Sequence, residues 1–302
     1  MKILITGATG LVGSVLMETA LREGHTIHFL TTNKRKIAFN SSTNGYYWNP
    51  KKNEINLDCF DGVELIVHLA GASISQRWTK KNKKEIFDSR VEGTRLLVEG
   101  LRQCKGKHKV KHVVAASAIG IYPSSRTAFY TEDYRPQANS FLERVVMAWE
   151  AEEERFSSLG IGLCKLRIGL VLTKRGGVMG PLKIPTQFGV GAAFGDGLQT
   201  QAWIHIDDLV QMILTAGNNH WEGIYNAVSP NPVSQKEFTK TLARAMKKPY
   251  FMPALPKFFI RLIAGEMSTL VFNSQNVSAE KVLNQGFVFS HPHLLPAMKS
   301  LL

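Results

Sequence analysis

Short apolar runs alternate with longer stretches whose apolar positions recur at helical spacing. The strand-like runs are Lys2 to Thr6, His25 to Thr31, Val63 to Ala70, Lys111 to Ser117 and Ile161 to Ile168. Between them, Leu11 to Glu23, Thr79 to Arg102 and Phe141 to Leu159 carry the helical period. Strands that take turns with helices predict an α/β fold in which a doubly wound parallel sheet is covered on both faces. The polar segment from Asn33 to Asn53 holds two turn signals, Asn44-Gly45 and Asn49-Pro50, and is expected to be irregular or a hairpin. After Gly169, glycines at 176, 177, 180, 189, 191, 195 and 197 break the pattern and predict a smaller lobe. Residues 1–170 are therefore assigned to the core and 171–302 mainly to a substrate lobe, with 203–228 returning to the core.

The first strand runs into Gly7-Ala8-Thr9-Gly10-Leu11-Val12-Gly13 and then a helix, the order of a dinucleotide-binding, Rossmann-type βαβ unit. Gly7 permits the tight turn, Gly10 lets a pyrophosphate approach the backbone, and Gly13 lets the helix lie close to the sheet. Thr9, Leu11 and Val12 belong to the same phosphate-facing turn, where free amides and the positive helix end favour an anion.

Composition narrows the classes. With 302 residues and 44% hydrophobic content, the chain can bury a large core. No apolar run approaches the ~18 residues that a membrane span needs, so no membrane partner and a cytoplasmic location are expected. Cys59, Cys104 and Cys164 are odd in number and far apart, which excludes a disulfide framework or paired zinc spacing; they read as reduced packing thiols. The net charge of +13 gathers in Lys34-Arg35-Lys36, Lys80-Lys81, Lys83-Lys84 and the series Lys105, Lys107, Lys109, Lys111. No nucleic-acid-binding motif accompanies it, so a solvated basic surface that attracts phosphorylated ligands is favoured over a nucleic-acid partner.

Longer motifs carry a family resemblance. GATGLVG, HLAG at 68–71, SRVEGTRLLVEGL at 89–101, SAIGIY at 117–122 and WIHIDDLV at 203–210 resemble the extended short-chain dehydrogenase/reductase superfamily. AWE at 148–150, LRIGLVL at 166–172, the stretch 176–199, GIYNAVSPNPV at 223–233 and the tail from Pro253 to about Met298 are similar to an atypical, epimerase-like subfamily. Its members are often labelled nucleotide-sugar epimerases or cell-division inhibitors. The resemblance implies a nicotinamide cofactor and a small-molecule substrate, an oxidoreductase or epimerase reaction on a carbonyl or nucleotide-linked sugar, and a monomer or weak homodimer. The alternative is a non-catalytic cofactor sensor acting through a protein partner.

Cofactor choice rests on the end of the second strand, where an acid would hold the ribose of NAD and a cation the extra phosphate of NADP. Here it reads Leu30-Thr31-Thr32-Asn33-Lys34-Arg35, with no acid until Glu54, so NADP(H) is preferred, with NAD(H) as the other option. Relatives usually carry arginine where Thr32 stands, so Lys34 or Arg35 must supply the charge. By the same resemblance, Leu69, Ala70 and Gly71 pass the adenosine half, Arg90 replaces an asparagine behind the catalytic site, Glu85 edges that cleft, Arg167 contacts cofactor or a substrate acid, and Leu172 lies near the nicotinamide. Arg77 and Trp78 are expected substrate contacts.

The catalytic signature is where the chain departs from its relatives. Active members pair a tyrosine with a lysine four residues later, neighbours on one helix face; here Phe141 and Val145 occupy those places. Ser117 matches the substrate-orienting serine, and Tyr122 is the substitute phenol. His205, Asp207 and Asp208 read as a return to the sheet and a helix start rather than as metal ligands, and no metal is expected.

Overall fold

A computed structural model describes residues 1–37 and 41–302. Seven of the eight strands of the main sheet come first: β1 (Lys2–Thr6), β2 (Thr26–Thr31), β3 (Thr43–Asn49), β4 (Glu54–Ile55), β5 (Leu65–His68), β6 (His112–Ala118) and, after the short β7 (Phe129–Tyr130) outside that sheet, β8 (Gly162–Ile168). Farther along come β9 (Leu170–Leu172), β10 (Thr200–Gln201), β11 (Trp203–His205), β12 (Gly223–Ala227), β13 (Val233–Ser234) and β14 (Asn276–Val277), of which β12 joins the main sheet. Its order is β12-β8-β6-β5-β1-β2-β3-β4, parallel throughout except for β4 on β3. The outer pairs are β9 with β11, β10 with β13 and β7 with β14.

The two-residue period of a strand explains why both faces are apolar. Ile3 and Ile5 of β1, Leu65 and Val67 of β5, and Cys164 and Leu166 of β8 point into one core with Leu16 and Ala20 of α1 (Leu11–Arg22). Leu4, Ile66, Val113 and Leu163 point into the other core, where Leu97 and Leu101 of α2 (Lys80–Gln103) meet them. Alongside α2 lies α3 (Phe141–Glu153). The predicted third helix ends earlier than its sequence pattern, continuing as a 3-10 helix to Leu159 before Gly160 turns at φ +73°. Cys59 and Cys164 are buried and all three thiols are free; burial pushes the Cys164 thiol up to about 12.

Asn44-Gly45 lies inside a strand, contrary to the turn expectation, because Gly45 and Tyr46 pair with Phe29 and Leu30 of β2. Asn49-Pro50 does turn the chain, giving the β3–β4 hairpin. Residues 38–40 of that polar segment lie outside the described residues.

Beyond β9 the chain forms α4 (Met179–Gln187), α5 (Ile206–Asn218), α6 (Gln235–Ala245) and α7 (Lys257–Ala264). The buried side of α5, with Leu209 and Ile213, covers the same sheet face as α1. Among the described residues, no helix is long and apolar enough to cross a membrane.

Candidate functional site

At the C-terminal ends of β1, β2 and β5, three loops meet. Gly7 sits at φ +69°, and a Cβ there would lie 3.0 Å from the Leu69 carbonyl and 3.1 Å from Ala70 N. Two constraints thus fix one glycine: the left-handed backbone and the passing loop. A Cβ on Gly10 would meet Gly7 O at 3.1 Å, and one on Gly13 would lie only 2.2 Å from it. Gly10 is the N-cap of α1, and no side chain caps that helix. Thr9 and Gly10 are exposed, Leu11 and Val12 half-buried. The helix therefore presents its first backbone amides outward with no protein acceptor on a side chain, a surface suited to a diphosphate.

A buried relay fixes the neighbouring loop. Thr94 Oγ1 donates to Arg90 O (2.8 Å), so it can only accept from His68 Nε2 at 3.0 Å. His68 Nδ1 then accepts from Thr6 Oγ1 (2.8 Å), which in turn accepts from the amides of Leu69 and Ala70 at 3.1 and 3.0 Å. The chain of bonds closes with neutral imidazole, and burial holds His68 down at about 4. The sequence reading does not single out Thr6, His68 or Thr94; the signal for Thr6 and His68 is a polar residue ending an apolar strand, and Thr94 lies within α2.

After β2, Thr31 is buried and its hydroxyl accepts from Asn33 N (3.1 Å), while Asn33 caps the turn that follows by accepting from Arg35 N. Thr32, Lys34 and Arg35 are exposed; Lys34 Nζ stands 4.8 Å over the Tyr47 ring. Neither Lys34 nor Arg35 has a carboxylate within ion-pair distance among the described residues. Gly71 is exposed beside the Arg90 guanidinium, which a Cβ on Gly71 would approach to 3.2 Å. Arg90 Nη1 donates to Ile86 O and Ala72 O, its guanidinium lies 5.1 Å from the Trp149 ring centre, and burial lowers it to about 10. The same region gains a closing loop that the sequence reading missed. Gly176 and Gly177 approach the Leu11 side chain, and Arg175 holds Glu18 of α1 through two bonds of 2.9 and 2.8 Å.

The remaining expected contacts differ in exposure and partners. Glu85 pairs with Lys51 at 3.1 Å. Leu172 is fully buried in the core, Arg77 is exposed, and Trp78 is only 8% exposed. Trp78 donates to Ile74 O and meets the Phe141 ring edge-on at 5.1 Å. Around them, Ile86, Leu142 and Val145 form a small apolar cluster with Met267 and Leu270 packed against it. The positions of the usual tyrosine and lysine are thus part of a hydrophobic contact with the C-terminal segment, and Trp78, expected as a substrate contact, packs within it.

Ser117 and Tyr122 are likewise placed inside rather than at a cleft. Ser117, Arg167 and Asn226 form one row across β6, β8 and β12, register partners on adjacent strands. Glu150 of α3 closes on that row: it takes a 2.5 Å bond from Ser117 Oγ, while Arg167 donates from Nε and Nη2 at 2.9 and 3.0 Å. Arg167 Nη1 donates to the Tyr122 hydroxyl at 3.0 Å, and that hydroxyl donates to Asn226 Oδ1 at 2.7 Å. Arg167 and Ser117 are both 2% exposed. Burial raises the Tyr122 phenol despite the neighbouring Arg167, and Glu150 keeps the Arg167 guanidinium charged. Arg167, expected to contact cofactor or a substrate acid, is held in this internal ion pair, because the strand register points its guanidinium at Glu150.

One turn along α3, Glu153 is fully buried with no hydrogen-bond partner among the described residues. Burial, assisted by the nearby Glu150 charge, raises its carboxyl well above 4.5. The folded state then binds a proton that the unfolded state has released, so stability falls as pH rises from about 4.5 through the folded value. Glu153→Gln is expected to remove that slope and to raise the neutral-pH denaturation midpoint, read from urea melts at several pH values.

His205 caps α5 by accepting from Asp207 N, and Asp208 accepts from the amides of Ser290 and His291. His205, Asp207 and His291 bring ligand-type atoms within 4.8 Å of one another. Both His205 nitrogens are already engaged, Nδ1 by Asp207 N and Nε2 by Ser300 Oγ.

With this geometry in view, comparison with known proteins is decisive for the family. Residues 3–227 match the NAD dependent epimerase/dehydratase family. The chain belongs to that family. Residues 255–301 match a second family described as a domain of unknown function, DUF1731. The epimerase family protein YfhF of Bacillus subtilis is 35% identical over 304 residues, covering 100% of this chain and 98% of that protein. Among solved structures, the human epimerase family protein SDR39U1 with NADPH superposes with a TM-score of 0.85 at 27% identity, covering 100% and 99% of the two chains. The UDP-glucose 4-epimerase of Thermotoga maritima shares the fold at a TM-score of 0.80 and 19% identity, with coverage of 100% and 97%.

Proposed function

We propose that this chain binds NADP(H) across the glycine turn and acts as an oxidoreductase or epimerase on a small carbonyl or sugar-linked compound, without a tyrosine–lysine proton relay. The observation that carries the reading is the cradle at Gly7, Gly10 and Gly13, where any added Cβ meets backbone and the helix N-terminus has no side-chain cap. The NADPH in the similar human structure supports the same reading. Amides at the start of α1 would hold the diphosphate, Leu69 to Gly71 would border the adenosine half, and Lys34 or Arg35 would neutralise the 2′-phosphate. The bound cofactor supplies a hydride donor or acceptor.

The chain's own residues limit the rest of the mechanism. Phe141 and Val145 have no exchangeable proton, and Ser117 and Tyr122 are committed to Glu150, Arg167 and Asn226. Arg90 is the cation that remains beside the cofactor loop. Its Nη1 is taken by two carbonyls, and no bond from Nε or Nη2 occurs among the described residues, so it can bind a substrate oxygen and stabilise negative charge developing there. Proton transfer then falls to water. A second reading, cofactor sensing through a protein partner, is favoured by the apolar cluster that joins Phe141 and Val145 to Met267 and Leu270.

One set of titrations separates them. Wild-type protein is expected to bind NADPH more tightly than NADH by calorimetry, and Thr32→Glu to weaken NADPH by tenfold or more with a smaller effect on NADH. Equal losses for the two coenzymes would remove the phosphate argument. NADPH oxidation with a panel of carbonyl compounds, abolished by Arg90→Met, supports the enzyme; tight binding with no turnover transfers the assignment to the sensor.

A further inference from the structure

Between Lys247 and Leu262 the surface changes character. The segment reads KKPYFMPALPKFFIRL: four cations and no carboxylate. Four of its apolar side chains face solvent, with Phe251 70%, Phe258 61%, Phe259 49% and Leu262 73% exposed. In α7, Phe258 and Leu262 are one helical turn apart, and so are Lys257 and Arg261, so an apolar stripe runs beside a basic one. Lys257, Phe258, Phe259, Arg261 and Leu262 are all exposed, while Ile260 is half-buried and the Lys257 stem lies against Gly195, so one side of the helix rests on the body and the other faces solvent.

The segment is nevertheless held at its middle and just beyond its C-terminal end. Leu255 N donates to Ala193 O at 2.7 Å and Leu255 O accepts from Gly195 N at 2.8 Å. Beyond the helix, Glu266 pairs with Lys83, and Met267 and Leu270 pack on the cluster around Trp78. Exposed aromatic residues on a fixed helix are a built surface, and burying even two of the phenylalanines would be strongly favourable.

From these features we infer that Lys247 to Leu262 is a peripheral membrane contact that docks the protein on an anionic lipid surface. Phe251, Phe258 and Leu262 enter the headgroup boundary, while Lys247, Lys248, Lys257 and Arg261 meet lipid phosphates. None of these cations has a carboxylate within ion-pair distance among the described residues, and Lys257 Nζ stands 5.7 Å from the Phe272 ring centre, so no acid cancels the charge of the segment at close range. A second copy of the chain is a poorer occupant, since a two-fold contact would set the four cations against themselves with no acid in the segment. The inference is independent of the cofactor reading, and the lack of a spanning helix does not bear on it, because an interfacial helix lies in the membrane plane.

The test is co-sedimentation of the full chain with phosphatidylcholine vesicles and with mixed phosphatidylcholine/phosphatidylglycerol vesicles. The expected result is pelleting with the mixed vesicles only, weakened by added salt and by about fivefold for each cation removed. Phe258→Ser/Phe259→Ser and, separately, Lys257→Glu/Arg261→Glu should each abolish it, while thermal melts and NADPH titrations remain as in the wild type. Absence of wild-type pelleting, equal pelleting on neutral vesicles, or pelleting unaffected by either double variant would overturn the inference. So would concentration-dependent dimerisation lost in the phenylalanine variant, or an effect of that variant on substrate KM with no change in sedimentation.

Discussion

Gly13→Ala is expected to reduce NADPH affinity at least a hundredfold and to destabilise the fold by about 1–3 kcal/mol. The new methyl would lie 2.2 Å from Gly7 O and 2.8 Å from Ala8 Cα. Both neighbours are backbone, so no rotamer change relieves the contact; either α1 moves off the sheet or the turn opens. Each response displaces the amides that would face the diphosphate. Gly10→Ala provides the internal comparison. Its Cβ would meet Gly7 O at 3.1 Å, a tight contact that a small shift relieves, so stability should change by less than about 1 kcal/mol. Affinity should still fall, because the methyl occupies the approach to an exposed part of the turn. Calorimetric titration and urea denaturation of the two variants check the pair. A Gly13→Ala protein that binds NADPH like the wild type would exclude the glycine turn as the coenzyme site.

The second large effect concerns the ion pair beneath the sheet's C-terminal edge. Glu150→Ala is expected to lower stability by about 3–5 kcal/mol, because it leaves the Arg167 guanidinium buried without a counter-charge. Three partners lose a bond at once: Ser117 Oγ, Arg167 Nε and Arg167 Nη2 all donate to Glu150. A paired replacement, Glu150→Leu with Arg167→Met, removes both charges and should recover most of the loss. Ser117→Ala leaves the ion pair in place, so about 1 kcal/mol is expected there. Urea midpoints of the wild type, these three variants and the single Arg167→Met protein, measured with and without NADPH, separate a structural role from a ligand contact. If Arg167→Met left the urea midpoint unchanged and selectively weakened NADPH, the guanidinium would belong to the coenzyme site after all.

These two cases also show how far residues can be read without their partners. Gly7, Gly10 and Gly13 are legible in the sequence because their roles are local: a turn, a close approach, and a helix packed on its own strand. Ser117 is legible as the end of a strand, yet its function depends on Glu150, 33 residues later, and on Arg167 across a strand boundary. Motif position alone places Ser117 near reacting atoms; the register turns its hydroxyl toward a carboxylate. Trp78 shows the same limit, since a loop tryptophan reads as a cleft residue until Phe141 and Met267 are seen packed around it. In the opposite direction, Asn44-Gly45 has strong turn chemistry, and five paired positions along β2 override it.

The sequence by itself determined the alternation of β and α, the two-faced apolar period of each strand and the tight glycine turn after β1. All of these follow from residue type and short spacing, where steric and solvation rules act along the chain. Tertiary structure alone decided the neutral tautomer of His68, the burial of Ser117, Tyr122 and Arg167, the lack of a hydrogen-bond partner for the Glu153 carboxyl, and the exposure of α7. Those depend on which distant groups arrive within hydrogen-bond reach and on how much water their arrival excludes, quantities that only the folded arrangement sets.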